Sequence, residues 1–132
     1  MEAGDTPVLV HNAKYGTAGE LCQVRPGFTP KEGRGGKAGT RSGKKFTPAG
    51  KDEVIQRNAL GQDDGIARCV NPTCNVELVY PAKSKTGVTP PRNEAQVDHI
   101  ESEINGGSGD PTNGQAACGP CNRRKSDGPQ PW

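Results

Sequence analysis

Cys118-Gly119-Pro120-Cys121-Asn122-Arg123-Arg124-Lys125 is a cysteine pair that runs straight into a basic stretch. A second pair stands upstream, Cys69-Val70-Asn71-Pro72-Thr73-Cys74, and Asp98-His99-Ile100 lies between the two. Five cysteines would leave one over in a disulfide framework. Four of them, Cys69, Cys74, Cys118 and Cys121, as a tetrahedral zinc site with Cys22 left over is the more economical reading, because short Cys-x(2–4)-Cys knuckles favour metal. Zinc held by four protein ligands has no position open for substrate, so that ion would be structural. A bridge within Cys118–Cys121 would be a redox-type motif, but nothing around it reads as the βαβ context that such chemistry needs.

Composition explains why a small chain would need such a staple. Hydrophobic residues make up 30% and aromatic residues 4% of the 132, while Gly contributes 19 and Pro 12. So few apolar side chains bury too little area to offset the ordering entropy of the whole chain. A metal or a partner must then supply stabilisation, or much of the chain stays unfolded. No apolar run approaches a membrane span, and no basic-then-apolar signal peptide is present.

The net charge of +2 conceals an asymmetry. Residues 14–51 carry nine Lys and Arg against two Glu, whereas residues 52–132 carry eight bases against eleven acids. A basic arm on an acidic, metal-capable body suits a polyanionic partner. The same Gly- and Lys-rich arm also reads as a soluble linker.

Along the chain, Thr6–Asn12 is a short β-prone run. Residues 13–45 show no firm secondary structure beyond a short strand near Leu21–Val24. Thr47 reads as an N-cap with Pro48 at the first helical position, and Asp52 and Glu53 are expected near the positive end of the helix dipole. Val54, Ile55 and Ala59 or Leu60 give an apolar face that Gly61 closes. Val76–Tyr80 alternates as a strand, and Pro81–Pro91 is a loop. Gln96–Ile100 is a second strand, Asn105–Pro111 a glycine-rich loop, and Gln115–Ala117 the partner that completes a hairpin. Gly119–Ser126 can form one or two helical turns before Gly128-Pro129.

Asp98-His99, fourteen residues on to Asn113 and nine more to Asn122, resembles the His-Asn-His (HNH) endonuclease motif with Asn in the last position. The cysteine pairs fall where many members of that family hold a structural zinc. The resemblance is greatest to the bacterial toxin branch related to endonuclease VII, through Phe46-Thr47-Pro48 and the loop Gly106-Gly107-Ser108-Gly109-Asp110-Pro111-Thr112-Asn113. It implies a small α+β, ββα-metal (His-Me finger) core over 46–128 with a four-cysteine zinc site, following a loop-rich basic arm over 14–45. It also implies a monomer with a catalytic divalent cation, Mg²⁺ or Mn²⁺, that hydrolyses DNA.

The chemistry gives each position a reason. Phosphodiester hydrolysis requires an activated water, charge stabilisation on the non-bridging oxygens and relief for the leaving 3′-oxygen. His99 can take the proton of the water. Asp98 is a hard oxygen ligand for the catalytic ion, and Asn122 could supply a second. Neighbours on a strand point to opposite faces unless it twists or bulges, and the resemblance implies that distortion. Asn113 is expected to hold the loop and to fix the His99 ring through a backbone hydrogen bond. Arg123, Arg124 and Lys125 could meet phosphate, with Lys125 facing the crevice. The third metal ligand is unassigned, with Asp110 and Glu101 in view.

Two other classes compete. His99-Ile100-Glu101 with Cys118-Gly119-Pro120-Cys121 superficially fits the zinc deaminase signature, although Ala117 replaces its Pro and Cys69 and Cys74 are left idle. A non-catalytic zinc ribbon that binds nucleic acid would use the same tetrad and arm. At the other end of the chain, Pro7–Ala13 resembles the junction before the warhead of polymorphic toxins. That implies 1–13 as the end of a pre-toxin linker, 129–132 as a tail, and an excised C-terminal domain of a large secreted bacterial protein. The parent would be a rearrangement-hotspot or contact-dependent inhibition effector, acting in a target-cell cytoplasm and neutralised by an acidic immunity protein.

Overall fold

The computed structural model describes residues 18–30, 44–82, 86–102, 106–126 and 130–132. The expected strand at Thr6–Asn12 and the Gly33–Lys37 stretch lie outside them. Helix α1 spans Pro48–Leu60. It begins where the sequence requires: Thr47 is extended and its Oγ1 accepts the Gly50 amide at 2.9 Å, with Pro48 in the first turn. Val54, Ile55 and Ala59 are buried, whereas Leu60 faces outward at 47% exposure.

Asp52 and Glu53 depart from expectation, for the first turn holds no acid. They sit one turn further in, both buried, where Asp52 accepts the Arg25 guanidinium at 2.7 Å and Glu53 accepts Arg57 at 2.8 Å. Ion pairing, not the helix dipole, explains their place.

Strand β1 (Gln96–His99) pairs antiparallel with β2 (Gly114–Ala117), with Gln96 opposite Ala117 and His99 opposite Gly114. A turn of 3-10 helix, Pro111–Asn113, leads into β2, and helix α2 (Gly119–Lys125) follows it. The register is one-to-one, so no bulge separates Asp98 from His99 and the two side chains lie on opposite faces. Val97 and His99 share a face with Gly114 and Ala116, which packs on α1, while Gln96 and Asp98 face α2. Among the described residues no helix is long and apolar enough to cross a membrane.

The segments expected as strands at Leu21–Val24 and Val76–Tyr80 form isolated bridges, Leu21 with Val79, Gln23 with Ile66 and Arg68 with Glu77. The chain reverses through the knuckle straight after Cys69, with Asn75 at φ 48, which leaves room for only a few pairs. Residues 18–30, read as part of the arm, are docked on α1. The reason is Gln56, fully buried, whose amide donates to the Gln23 carbonyl at 3.1 Å and the Tyr80 hydroxyl at 2.9 Å and accepts the Arg25 amide at 2.7 Å. Every polar atom of that side chain is satisfied, so its burial is tolerable. The core is small, joining Val54, Ile55, Leu78 and Tyr80 to buried alanines either side of the thiols of Cys69, Cys118 and Cys121.

Candidate functional site

The four thiols the sequence paired are brought together. The Sγ atoms of Cys69, Cys74, Cys118 and Cys121 all lie within 4.8 Å of one another. Cys74 and Cys118 are 3.7 Å apart, close to the ~3.8 Å edge of a tetrahedron with Zn–S bonds of ~2.3 Å. The Cys118 amide and the Asn71 side-chain amide each point at a sulfur of the set, Cys69 and Cys121 respectively, at 3.4 Å. Burial pushes the Cys118 thiol up to about 12 and raises Cys69. Burial also works to raise Cys121, but the Asn71 amide and the adjacent thiols outweigh it and hold that thiol below its ordinary value. Sulfurs so close cannot all ionise without a cation among them, and a tetrathiolate donor set fits zinc. Cys22 stands apart, fully buried beside Asp52 and Tyr80. Because Cys69 and Cys74 complete the cluster, the deaminase ligand set of His99, Cys118 and Cys121 is not assembled.

Asp98 faces α2 from the sheet, and Asn122 faces the sheet from α2. Asp98 Oδ2 accepts Lys125 Nζ at 3.0 Å and Gln115 Nε2 at 3.3 Å, and Asn122 Nδ2 donates to Gln96 Oε1 at 2.8 Å. Among the described residues neither Asp98 Oδ1 nor Asn122 Oδ1 has a hydrogen-bond partner. Both are hard oxygens, the donor type that suits a divalent ion.

Lys125 corrects the sequence reading. Expected as a phosphate contact in the crevice, its side chain is 1% exposed, and its ammonium is spent on Asp98 and on the His99 carbonyl, 3.0 Å away. A helix of seven residues turns Asn122 and Lys125 to the same side, i to i+3, and the sheet covers that side. Arg123 and Arg124 are exposed.

His99, on the α1 side, is held by partners that sequence reading missed. Its Nε2 lies 2.9 Å from the Lys44 carbonyl, and its ring stacks on Phe46 at 4.2 Å between centroids. A carbonyl can only accept, so Nε2 carries a proton, and in the neutral ring Nδ1 is the nitrogen with the lone pair. Asn113 holds the loop as expected: its side chain binds the Glu101 amide at 2.9 Å, the Glu101 carbonyl at 3.1 Å and the Ser108 carbonyl at 2.8 Å. The ring, however, is fixed by Lys44 and not by Asn113. Gly109 allows this, since a Cβ there would lie 2.7 Å from the carbonyls of both Lys44 and Lys45. Of the two acids in view as a third ligand, Asp110 receives the Ser108 hydroxyl at 2.8 Å, and Glu101 is exposed.

Fold and site together define a small α+β protein consistent with the ββα-metal class, carrying a thiolate cluster able to hold zinc. Residues 83–128, 46 of the 132, match the family model described as HNH endonuclease. The matched span holds Asp98, His99, Asn113, Cys118, Cys121 and Asn122 and supports an HNH nuclease domain. Helix α1 and the first cysteine pair lie outside it. No curated protein and no solved structure matches the chain.

Proposed function

We propose that this protein is a metal-dependent HNH endonuclease that hydrolyses DNA and serves as an antibacterial toxin domain. The tautomer of His99 carries the reading: with Nε2 donating to the Lys44 carbonyl, Nδ1 is a base already oriented. The two-stranded sheet leaves the outer edge of β1 unpaired among the described residues. A phosphodiester laid across that edge meets the Asp98 carboxylate from one side and the His99 imidazole from the other. A divalent cation held by Asp98 Oδ1 and Asn122 Oδ1 would supply charge neutralisation at the phosphoryl and leaving oxygens. His99 Nδ1 takes the proton of the water as its oxygen bonds to phosphorus, and the bond to the 3′-oxygen breaks. Lys125 and Gln115 hold Asp98 so that its other oxygen stays presented.

Supercoiled plasmid incubated with zinc-loaded protein and Mg²⁺ or Mn²⁺ should be nicked, and His99→Ala should lower the rate about 10²- to 10⁴-fold. Equal persistence of the plasmid with both proteins across a metal series would favour the zinc ribbon instead. The toxin assignment draws on the resemblance of the loop and of Pro7–Ala13 to that branch. It carries delivery from a producing bacterium, action in the target-cell cytoplasm and neutralisation by an acidic immunity protein. Expression in a bacterial cytoplasm should arrest growth, and His99→Ala should relieve the arrest.

A further inference from the structure

Six arginines fall among the described residues, and they divide sharply. Arg25 pairs with Asp52, Arg57 with Glu53, and Arg68 with both Asp64 and Glu77. Arg92, Arg123 and Arg124 have no ion pair among the described residues, and all three are exposed. Two of them, Arg92 and Arg124, line one open groove of about 350 Å³ between the cysteine knuckle and α2, together with Thr73, Asn93 and Pro120 and with Cys74, Cys118 and Cys121 of the thiol cluster at its floor. The third is adjacent, for a Cβ on Gly119 would lie 3.3 Å from Arg123 Nη1 and 3.9 Å from the Arg92 carbonyl. No carboxylate is among the described residues of the lining. Neither guanidinium has a carboxylate partner there, and planar guanidinium forks match phosphate oxygens.

We propose that this groove is a second nucleic-acid contact, in which Arg92 and Arg124 grip the phosphate backbone of the substrate away from the bond that is cut. It rests on the nucleic-acid reading above and extends it. Arg92 lies outside the DH-N-N motif and outside the basic run after Cys121, so no motif marks it. Arg124 stands two residues after Asn122 on α2, so the groove and the candidate active site share that short helix. A strand that passes α2 would meet both contacts.

The test uses the full zinc-loaded chain carrying His99→Ala, which binds without cutting, titrated onto labelled duplex DNA over a KCl series. Arg92→Gln with Arg124→Gln should reduce the slope of log K against log salt by about 2, since each lost contact removes roughly 0.9. Arg68→Gln, whose charge is already matched by Asp64 and Glu77, should leave the slope in place. An unchanged slope in the double variant overturns the proposal. So does an equal drop in Arg68→Gln, which would reduce the effect to net charge. Zinc content is measured in parallel: loss of zinc with an intact slope would reassign the two arginines as counter-charges to the thiolate cluster and also overturn it. Weakened binding of poly-glutamate with an intact DNA slope would point to an acidic protein as occupant, with the same consequence. Because binding is read on an inactive chain, these outcomes are independent of whether the parent protein nicks plasmid.

Discussion

Lys125 looks in sequence like one more cation in a basic run, yet it is the buried counter-charge of Asp98. Removing one partner of a buried pair strands the other. Lys125→Met should therefore destabilise the fold by about 3 kcal/mol, the lower end for such pairs, because Asp98 keeps Gln115 and some solvent. A urea midpoint equal to that of the parent would mean that the pair contributes nothing. Arg124→Met, an exposed neighbour with no partner among the described residues, serves as the contrasting change. Cys22 makes a prediction in pH. Burial first, then Asp52, pushes its thiol from 9.0 up to about 12, so the fold keeps it neutral where the unfolded chain has ionised. The stability it supports is complete below pH 9 and is lost as pH rises toward about 12. Chemical denaturation of Cys22→Ala across that alkaline range should show a shallower fall than the parent; identical curves would assign the loss elsewhere.

At the scale of elements, the hairpin is fitted to α1 through an absent side chain. A Cβ on Gly114 would lie 2.5 Å from Val54 Cγ2 and 3.2 Å from the Phe46 ring. Gly114→Ala should cost about 1–3 kcal/mol by overpacking. It should also slow cleavage at temperatures where the variant is still folded, since Phe46 is the surface against which His99 stacks. Full activity in a folded Gly114→Ala would separate that packing from the chemistry. Elements whose cues are local were legible: Thr47-Pro48 opens α1 and Cys118-Gly119-Pro120 opens α2 within the ranges read from sequence. The short strands were less so. Two bridged residues leave no periodicity, and the Leu21–Val24 and Val76–Tyr80 segments gain their pairing from neighbours distant in the chain.

For the whole molecule, the thiolate cluster joins the knuckle to α2 across the hairpin and so takes the place of apolar area the chain lacks. Zinc binding to such sites is worth about 10–16 kcal/mol, as much as the whole net stability of a typical domain, about 5–15 kcal/mol. Exhaustive zinc extraction should unfold the core, read as loss of the circular dichroism signal, whereas withdrawing Mg²⁺ alone should stop cleavage and leave that signal intact. An unaltered spectrum in zinc-free protein would remove the cluster from the stability of the fold. The resemblance of Asp98, His99, Asn113 and Asn122 to the HNH motif made an α+β hairpin and helix legible, and the spacing of Cys69, Cys74, Cys118 and Cys121 made the thiol cluster legible, because ligand type and spacing are written along the chain. The partners of those residues were not. The carbonyl that orients His99 comes from Lys44, 55 residues away, the cation beneath Asp98 comes from Lys125, and Gln56 is buried by contacts with Arg25 and Tyr80. A backbone carbonyl has no sequence signature, and a lysine or glutamine is buried or exposed according to which groups the packed chain sets against it.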